Sequence, residues 1–177
     1  MSVLVKNILR AMLFLLVQVF VLDKIVLHQL FTPYIYFLFI LWLPFKMTRG
    51  WLMVIAFGYG FILDSFRHNP GFHAAACVLI AYIRPYLISL FISQEGADTN
   101  FEEPSIKSMG GIVPYAIFIS SLAFLHNVWL FFLEAWQFGN IWYFLGKIIL
   151  STIVSVLLII ITELIFVRKQ KFKTNTI

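Results

Sequence analysis

Four side chains able to carry charge or move a proton lie within ten residues of one another: Asp64, Arg67, His68 and His73. Such groups can pair, bind a ligand or relay protons, and in an apolar chain each of them is costly to bury. Asp64 stands four residues after Gly60, a spacing that puts both on one face of a helix. A small residue at that spacing lets a second helix approach closely.

The residues after Asp64 indicate what could hold its carboxylate. Asn69-Pro70 is typical of a helix N-cap followed by proline at the first helical position, so a new helix is expected there. Its free N–H groups attract an anion. We predict a structural clasp that pins two helices together, made of Gly60, Asp64, Arg67, Asn69, Gly71 and His73. The alternative is a ligand site or a proton relay that includes His126 and Glu163.

The composition is that of a membrane protein with one compact domain. Of 177 residues, 62% are hydrophobic and only 12% are charged, and the mean hydropathy is +0.94. The net charge of +5 is concentrated in the tail, which argues against nucleic-acid binding. The only cysteine is Cys77, so no internal disulfide and no thiolate zinc site can form.

Hydropathy predicts an all-α membrane protein with six transmembrane helices. The apolar segments are 8–27, 33–45, 50–66, 70–92, 112–133 and 140–166. Segments 33–45 and 50–66 fall short of the roughly 20 residues that a span needs, so they form either two short spans or a re-entrant hairpin. The six-helix domain covers residues 1–167, and a basic cytoplasmic tail covers residues 168–177.

Basic residues predict the orientation. With both termini in the cytoplasm, the cytoplasmic side receives nine of them and the outer side receives Lys24 and Arg67; the nine are Lys6, Arg10, Lys46, Arg49, Lys107, Arg168, Lys169, Lys171 and Lys173. This bias follows the positive-inside rule. It puts the loop 93–111 on the cytoplasmic side of the membrane.

Other polar residues lie in apolar surroundings. Arg84 is expected to snorkel to the headgroups, with lipid or partner binding as the alternative. Candidate contacts for a partner or anionic lipid are Lys46, Arg49, Arg84, Arg168 and Lys169. His126-Asn127 favours a helix–helix hydrogen bond over a metal site. The sequence contains no Walker loop, GxSxG, HExxH or GxGxxG motif, so we expect no catalysis, no cofactor and no metal.

The stretch Gly60-Phe-Ile-Leu-Asp64, followed by Gly71 and a small-residue helix that reaches Tyr82, resembles the signature region of the rod shape-determining protein MreD family. Upstream, Pro33-Tyr-Ile-Tyr and Leu41-Trp-Leu-Pro44 before a basic turn are similar to the second helix of that family. Length, hydropathy and the basic C-terminus agree. The acidic loop between segments four and five is longer than in the family.

The resemblance implies an integral component of the bacterial cell-elongation machinery. Its partners would be an MreC-like single-span periplasmic protein, an MreB-like cytoplasmic filament, and the polymerase and transpeptidase of lateral peptidoglycan synthesis. The implied fold is that of the substrate-binding subunits of energy-coupling-factor transporters. The alternative is therefore a vitamin-binding transporter subunit, but the Ala-xxx-Ala docking pattern of those subunits is absent from the sequence.

Overall fold

The computed structural model describes residues 3–25, 31–91, 101–134 and 140–166, and this part of the chain is helical and contains no strand. The helices are α1 (Val3–Phe20), α2 (Leu38–Leu41), α3 (Arg49–Arg67), α4 (Phe72–Phe91), α5 (Ile112–Glu134) and α6 (Ile141–Ile165), and a 3-10 turn, Leu22–Lys24, follows α1. Four helical stretches are long and apolar enough to cross a membrane: Val5–Lys24, Phe72–Leu90, Ile112–Glu134 and Ile141–Ile165.

The predicted count of six spans is not confirmed. α3 has 19 residues but is not among those four, and it carries charged residues near both ends. The bounds of the longer helices agree with the predicted segments to within a few residues, except that α1 gives way to the 3-10 turn after Phe20. The described residues form an all-helical bundle that is compatible with a multi-pass membrane protein.

Segment 33–45 differs most from the prediction, because only Leu38–Leu41 is helical within it. The segment nevertheless crosses the bundle. Tyr34 lies beside Arg67 at one end of the bundle, and the Phe45 N–H donates to the Glu102 carbonyl at the other end (2.9 Å). Every residue from Tyr34 to Leu43 is buried. We call residues 31–45 the central segment.

Chain length explains this conformation. Twelve residues in a helix cover about 18 Å, well short of the roughly 30 Å hydrocarbon core. Extended residues cover up to about 3.3–3.6 Å each, so a partly extended chain of the same length reaches further. Irregular backbone at membrane depth is tolerated only where protein surrounds it, and here the long helices surround it.

The long helices form a layered bundle. α4 packs between α3 and α5, and α5 packs between α4 and α6. Asn140 caps α6 by accepting from the Trp142 N–H (3.0 Å). The core is aromatic, with Tyr34, Tyr36, Phe37 and Trp42 fully buried, whereas large apolar side chains on the outer faces are exposed. An apolar exterior suits contact with lipid.

Candidate functional site

The Asp64 carboxylate is buried (1% exposed) and caps a helix other than its own. Oδ1 accepts the backbone N–H of His73 (3.1 Å), and Oδ2 accepts that of Ala74 (2.8 Å). The His73 Nδ1 lies 2.7 Å from Oδ1. These N–H groups belong to the first turn of α4, where an N-cap side chain normally accepts them and where the helix dipole favours an anion.

Gly60 sets the closeness of α3 and α4. A Cβ at this position would lie 2.6 Å from Ala74 Cα and 2.8 Å from the His73 carbonyl oxygen. Both atoms belong to the backbone, so no side-chain rotation relieves the clash. The glycine therefore allows the approach that brings Asp64 within hydrogen-bonding distance of α4.

The start of α4 corrects the prediction for Asn69 and Gly71. α4 begins at Phe72, three residues after Asn69, and the Asn69 side-chain nitrogen lies 3.4 Å from His73 Nδ1. The Asn69 backbone N–H donates to the Asp64 carbonyl at the end of α3 (3.0 Å). Gly71 lies in open space, so it is not a point of close approach, but its φ of 102° favours glycine.

Arg67, a predicted member of the clasp, pairs with Asp23. Its Nε and Nη2 each lie 2.8 Å from a carboxylate oxygen of Asp23, in bidentate geometry. Its Nη1 lies 2.7 Å from His73 Nε2 and 3.4 Å from the Tyr34 hydroxyl. Arg67 thus joins the clasp through His73 and connects it to the end of α1. Asp23 was not among the residues predicted for the clasp.

Buried side chains supply hydrogen bonds to the central segment. Gln18 accepts the Ile35 N–H (3.0 Å) and donates to the Pro33 carbonyl (3.1 Å). On α6, Ser151 accepts the Thr32 N–H (3.0 Å) and Ser155 accepts the Tyr34 N–H (2.9 Å). Because most of this backbone lacks the regular hydrogen bonds of a helix, its N–H and C=O groups need such partners.

Arg84 also serves the central segment, so the expectation that it reaches lipid or a partner is wrong. The side chain is 2% exposed. Its guanidinium donates to the carbonyls of Leu41 and Leu43. These backbone carbonyls, at the end of α2 and just after it, hold the arginine inside the bundle, so its side chain cannot snorkel to the headgroups.

His126 and Asn127 join three elements by hydrogen bonds. The hydroxyl of Tyr36, in the central segment, lies 2.6 Å from His126 Nε2. Asn127 donates to Thr152 of α6 (3.0 Å). The predicted bond between helices is present, and Tyr36 is a further partner that the sequence did not indicate.

The far end of the bundle is closed by ion pairs. Glu103 accepts from Arg10 Nη1 (2.8 Å) and from Lys6 Nζ (3.1 Å). Burial alone would raise the pKa of Glu103, but hydrogen bonds and charge from Arg10 and Lys6 hold that pKa below its usual value. Nearby, Glu163 accepts the Tyr115 hydroxyl (2.9 Å).

The remaining candidate contacts are surface residues. Lys46 is exposed, and Arg49 is exposed with its guanidinium over the Tyr86 ring (4.5 Å) and bonded to that hydroxyl (2.9 Å). Arg168 and Lys169 lie outside the described residues. The surface positions of Lys46 and Arg49 leave both free to meet headgroups or a partner.

Within the described ranges, no group of three or more His, Cys, Asp or Glu side chains could hold a metal ion. The polar groups of the clasp are bonded to one another and to backbone. Comparison of the chain with protein-family models, with curated proteins and with solved structures gives no match.

Proposed function

We propose that this chain is a non-enzymatic assembly protein of the bacterial cell-elongation machinery. It would reside in the inner membrane with both termini in the cytoplasm. There it would link an MreC-like periplasmic partner to an MreB-like filament and to the polymerase and transpeptidase of lateral peptidoglycan synthesis. The observation that carries the proposal is the role of the residues on which the MreD resemblance rests: Gly60 and Asp64 hold α3 against α4.

The state of the buried polar groups favours assembly over transport or catalysis. A small-molecule site needs polar groups that converge on a pocket. In the described part of the chain, Asp64 bonds to the first turn of α4, Gln18 bonds to the central segment, and Arg84 does the same. Asp64, Gln18 and Arg84 thus stabilise the bundle, and the proposed assembly contacts are made by its outer surfaces.

The outer surface includes a groove that suits a partner helix or lipid. It has a volume of about 650 Å³ and lies between α3 and α4, with Trp129 of α5 at its edge. Its walls are apolar and aromatic, including the stacked rings of Phe57 and Phe61. In the proposed topology, the clasp fixes this groove near the periplasmic end, and Lys46 and Arg49 lie at the cytoplasmic end.

The orientation and crossing number are part of the proposal. We take α1, α3, α4, α5 and α6 as membrane crossings and the central segment as a sixth crossing inside the bundle. Reporter fusions at residue 98 and at the C-terminus test this arrangement. Both reporters should act in the cytoplasm, and a periplasmic signal from either one overturns it.

Depletion of the protein in its source bacterium tests the function. We expect rod-shaped cells to become round, and we expect the tagged protein to capture an MreC-like single-span partner. Complementation should fail with Gly60→Leu, which separates α3 from α4, and should succeed with Gly58→Leu, since a Cβ at Gly58 meets no atom within 4 Å. Normal shape combined with loss of vitamin uptake would replace the proposal with the transporter reading.

A further inference from the structure

The His73 imidazole lies between a carboxylate and a guanidinium. Nδ1 is 2.7 Å from Asp64 Oδ1, and Nε2 is 2.7 Å from Arg67 Nη1. A guanidinium only donates hydrogen bonds, so Nε2 must offer its lone pair. The hydrogen of the neutral ring is then on Nδ1, where it donates to Asp64. Arg67 and Asp64 together select the neutral Nδ1–H form.

The other charged and titratable groups around His73 come from every neighbouring element. Asp23, after α1, holds Arg67, and the central segment places Tyr34 and Tyr36 with their rings against the imidazole. On α4 itself, Cys77 is one turn further on. More distant groups are His126 and Glu134 of α5 and Lys147 of α6, the last two paired at 3.6 Å.

Water reaches this chain of contacts from one end of the bundle. A polar cleft of about 420 Å³ is lined by Asp23, Lys24, Arg67 and Asn69. The Arg67 side chain is 20% exposed, whereas His73 is fully buried. Arg67 therefore stands between the solvent in the cleft and the imidazole.

We propose that His73 is a proton-operated latch between α1 and the α3–α4 hairpin. A proton from water in the cleft binds Nε2 and forms an N–H bond, and the site gains one positive charge. Nε2–H and Arg67 Nη1 are then two donors 2.7 Å apart, so Arg67 moves into the cleft. His73 and Asp64 remain as an ion pair, which keeps α3 on α4.

The movement of Arg67 loosens the end of α1. Arg67 binds Asp23 through two of its nitrogens, and this pair connects the 3-10 turn Leu22–Lys24 to α3. When the guanidinium swings out, Asp23 keeps its bond to Gln18 (2.7 Å), which belongs to α1 itself. The latch thus frees the 3-10 turn Leu22–Lys24 from α3 and leaves the hairpin intact, while Gln18 still holds α1 to the central segment.

Nitrogen NMR of the full-length protein in phosphatidylcholine nanodiscs, with ¹⁵N-labelled histidine, tests the protonation step. His73→Gln assigns the signal, and exposed His68 serves as an internal control. We expect the Nδ1–H form at pH 8 and an imidazolium signal on acidification. In Arg67→Gln, the imidazolium signal should appear at higher pH, while the His68 signal is unchanged.

A nitroxide attached at exposed Val21, as Val21→Cys in a Cys77→Ser background, tests the movement of the end of α1. We expect its mobility to rise on acidification in the otherwise wild-type protein and to stay constant in His73→Gln. The Nε2–H tautomer at pH 8 overturns the proposal. So does an unshifted titration in Arg67→Gln, or an equal rise in mobility with and without His73.

Discussion

Replacement of Gly60 by alanine probes the contact between α3 and α4 most directly. The new Cβ would lie 2.6 Å from Ala74 Cα, whereas non-bonded carbons prefer about 3.5–4.0 Å. The helices must therefore separate by about 1 Å. That shift would stretch the bond between Asp64 Oδ2 and the Ala74 N–H from 2.8 Å to nearly 4 Å, beyond hydrogen-bonding distance.

The loss has two parts. Overpacking typically costs about 1–3 kcal/mol, and a hydrogen bond to a charged group contributes about 1.5–3 kcal/mol. Alanine is favoured over glycine in helices by about 1 kcal/mol, which offsets part of these costs, so we expect Gly60→Ala to lower the free energy of unfolding by about 1.5–5 kcal/mol. Reversible unfolding in detergent, followed by circular dichroism, measures this difference.

Gly58→Ala is the matched control. It lies on the same helix, and a Cβ there meets no atom within 4 Å. Alanine is favoured over glycine in helices by about 1 kcal/mol, so this variant should be slightly more stable than the wild type. If the two variants unfold at the same denaturant concentration, the inferred contact at Gly60 is refuted.

Three further predictions concern individual polar contacts. Asp64→Ala should lower Tm more than Asp64→Asn, because the asparagine amide keeps one acceptor for the α4 N–H groups; equal Tm values would contradict this. Ser155→Ala orphans the Tyr34 N–H and should cost about 1–3 kcal/mol of unfolding free energy, whereas Ser121→Ala, which loses only a bond to its own helix, should be nearly neutral. Because the pKa of Glu103 is lowered on folding, its ion pairs stabilise the protein above the ordinary carboxyl pKa of 4.5 and lose that effect as pH falls further. In acid titrations followed by circular dichroism, Glu103→Gln should therefore lose less stability than the wild type below about pH 4.5, and a parallel loss in both proteins would count against the ion pairs.

Local patterns in the sequence predicted the helices and part of the clasp. The length of the apolar segments predicts the long helices. The spacing of Gly60 and Asp64 puts both residues on one face of α3, where they meet the start of α4. The position of Asp64 relative to α4 follows from the short 68–71 turn, since a tight turn leaves few ways to pack two helices.

Contacts between residues far apart in the chain were not predictable. Asp23 is 44 residues from Arg67, and no periodicity links them. Arg84 has the sequence features of a snorkelling residue. Its position on the helix does not reveal that backbone carbonyls of the central segment lie opposite it, so the contact could not be predicted. Gln18 in an apolar helix was a usable signal: a buried amide needs partners, and irregular backbone supplies them.

The dependence of the central segment on α6 has a consequence for biogenesis. In the proposed topology, Thr32 and Tyr34 enter the membrane early in synthesis, but the serines that accept their N–H groups are more than 100 residues downstream. Until α6 leaves the ribosome, that stretch of backbone must stay hydrated or be sheltered by the insertion machinery. α6 is therefore the helix that completes the interior, and nascent chains that stop before residue 151 should be targets for membrane proteases.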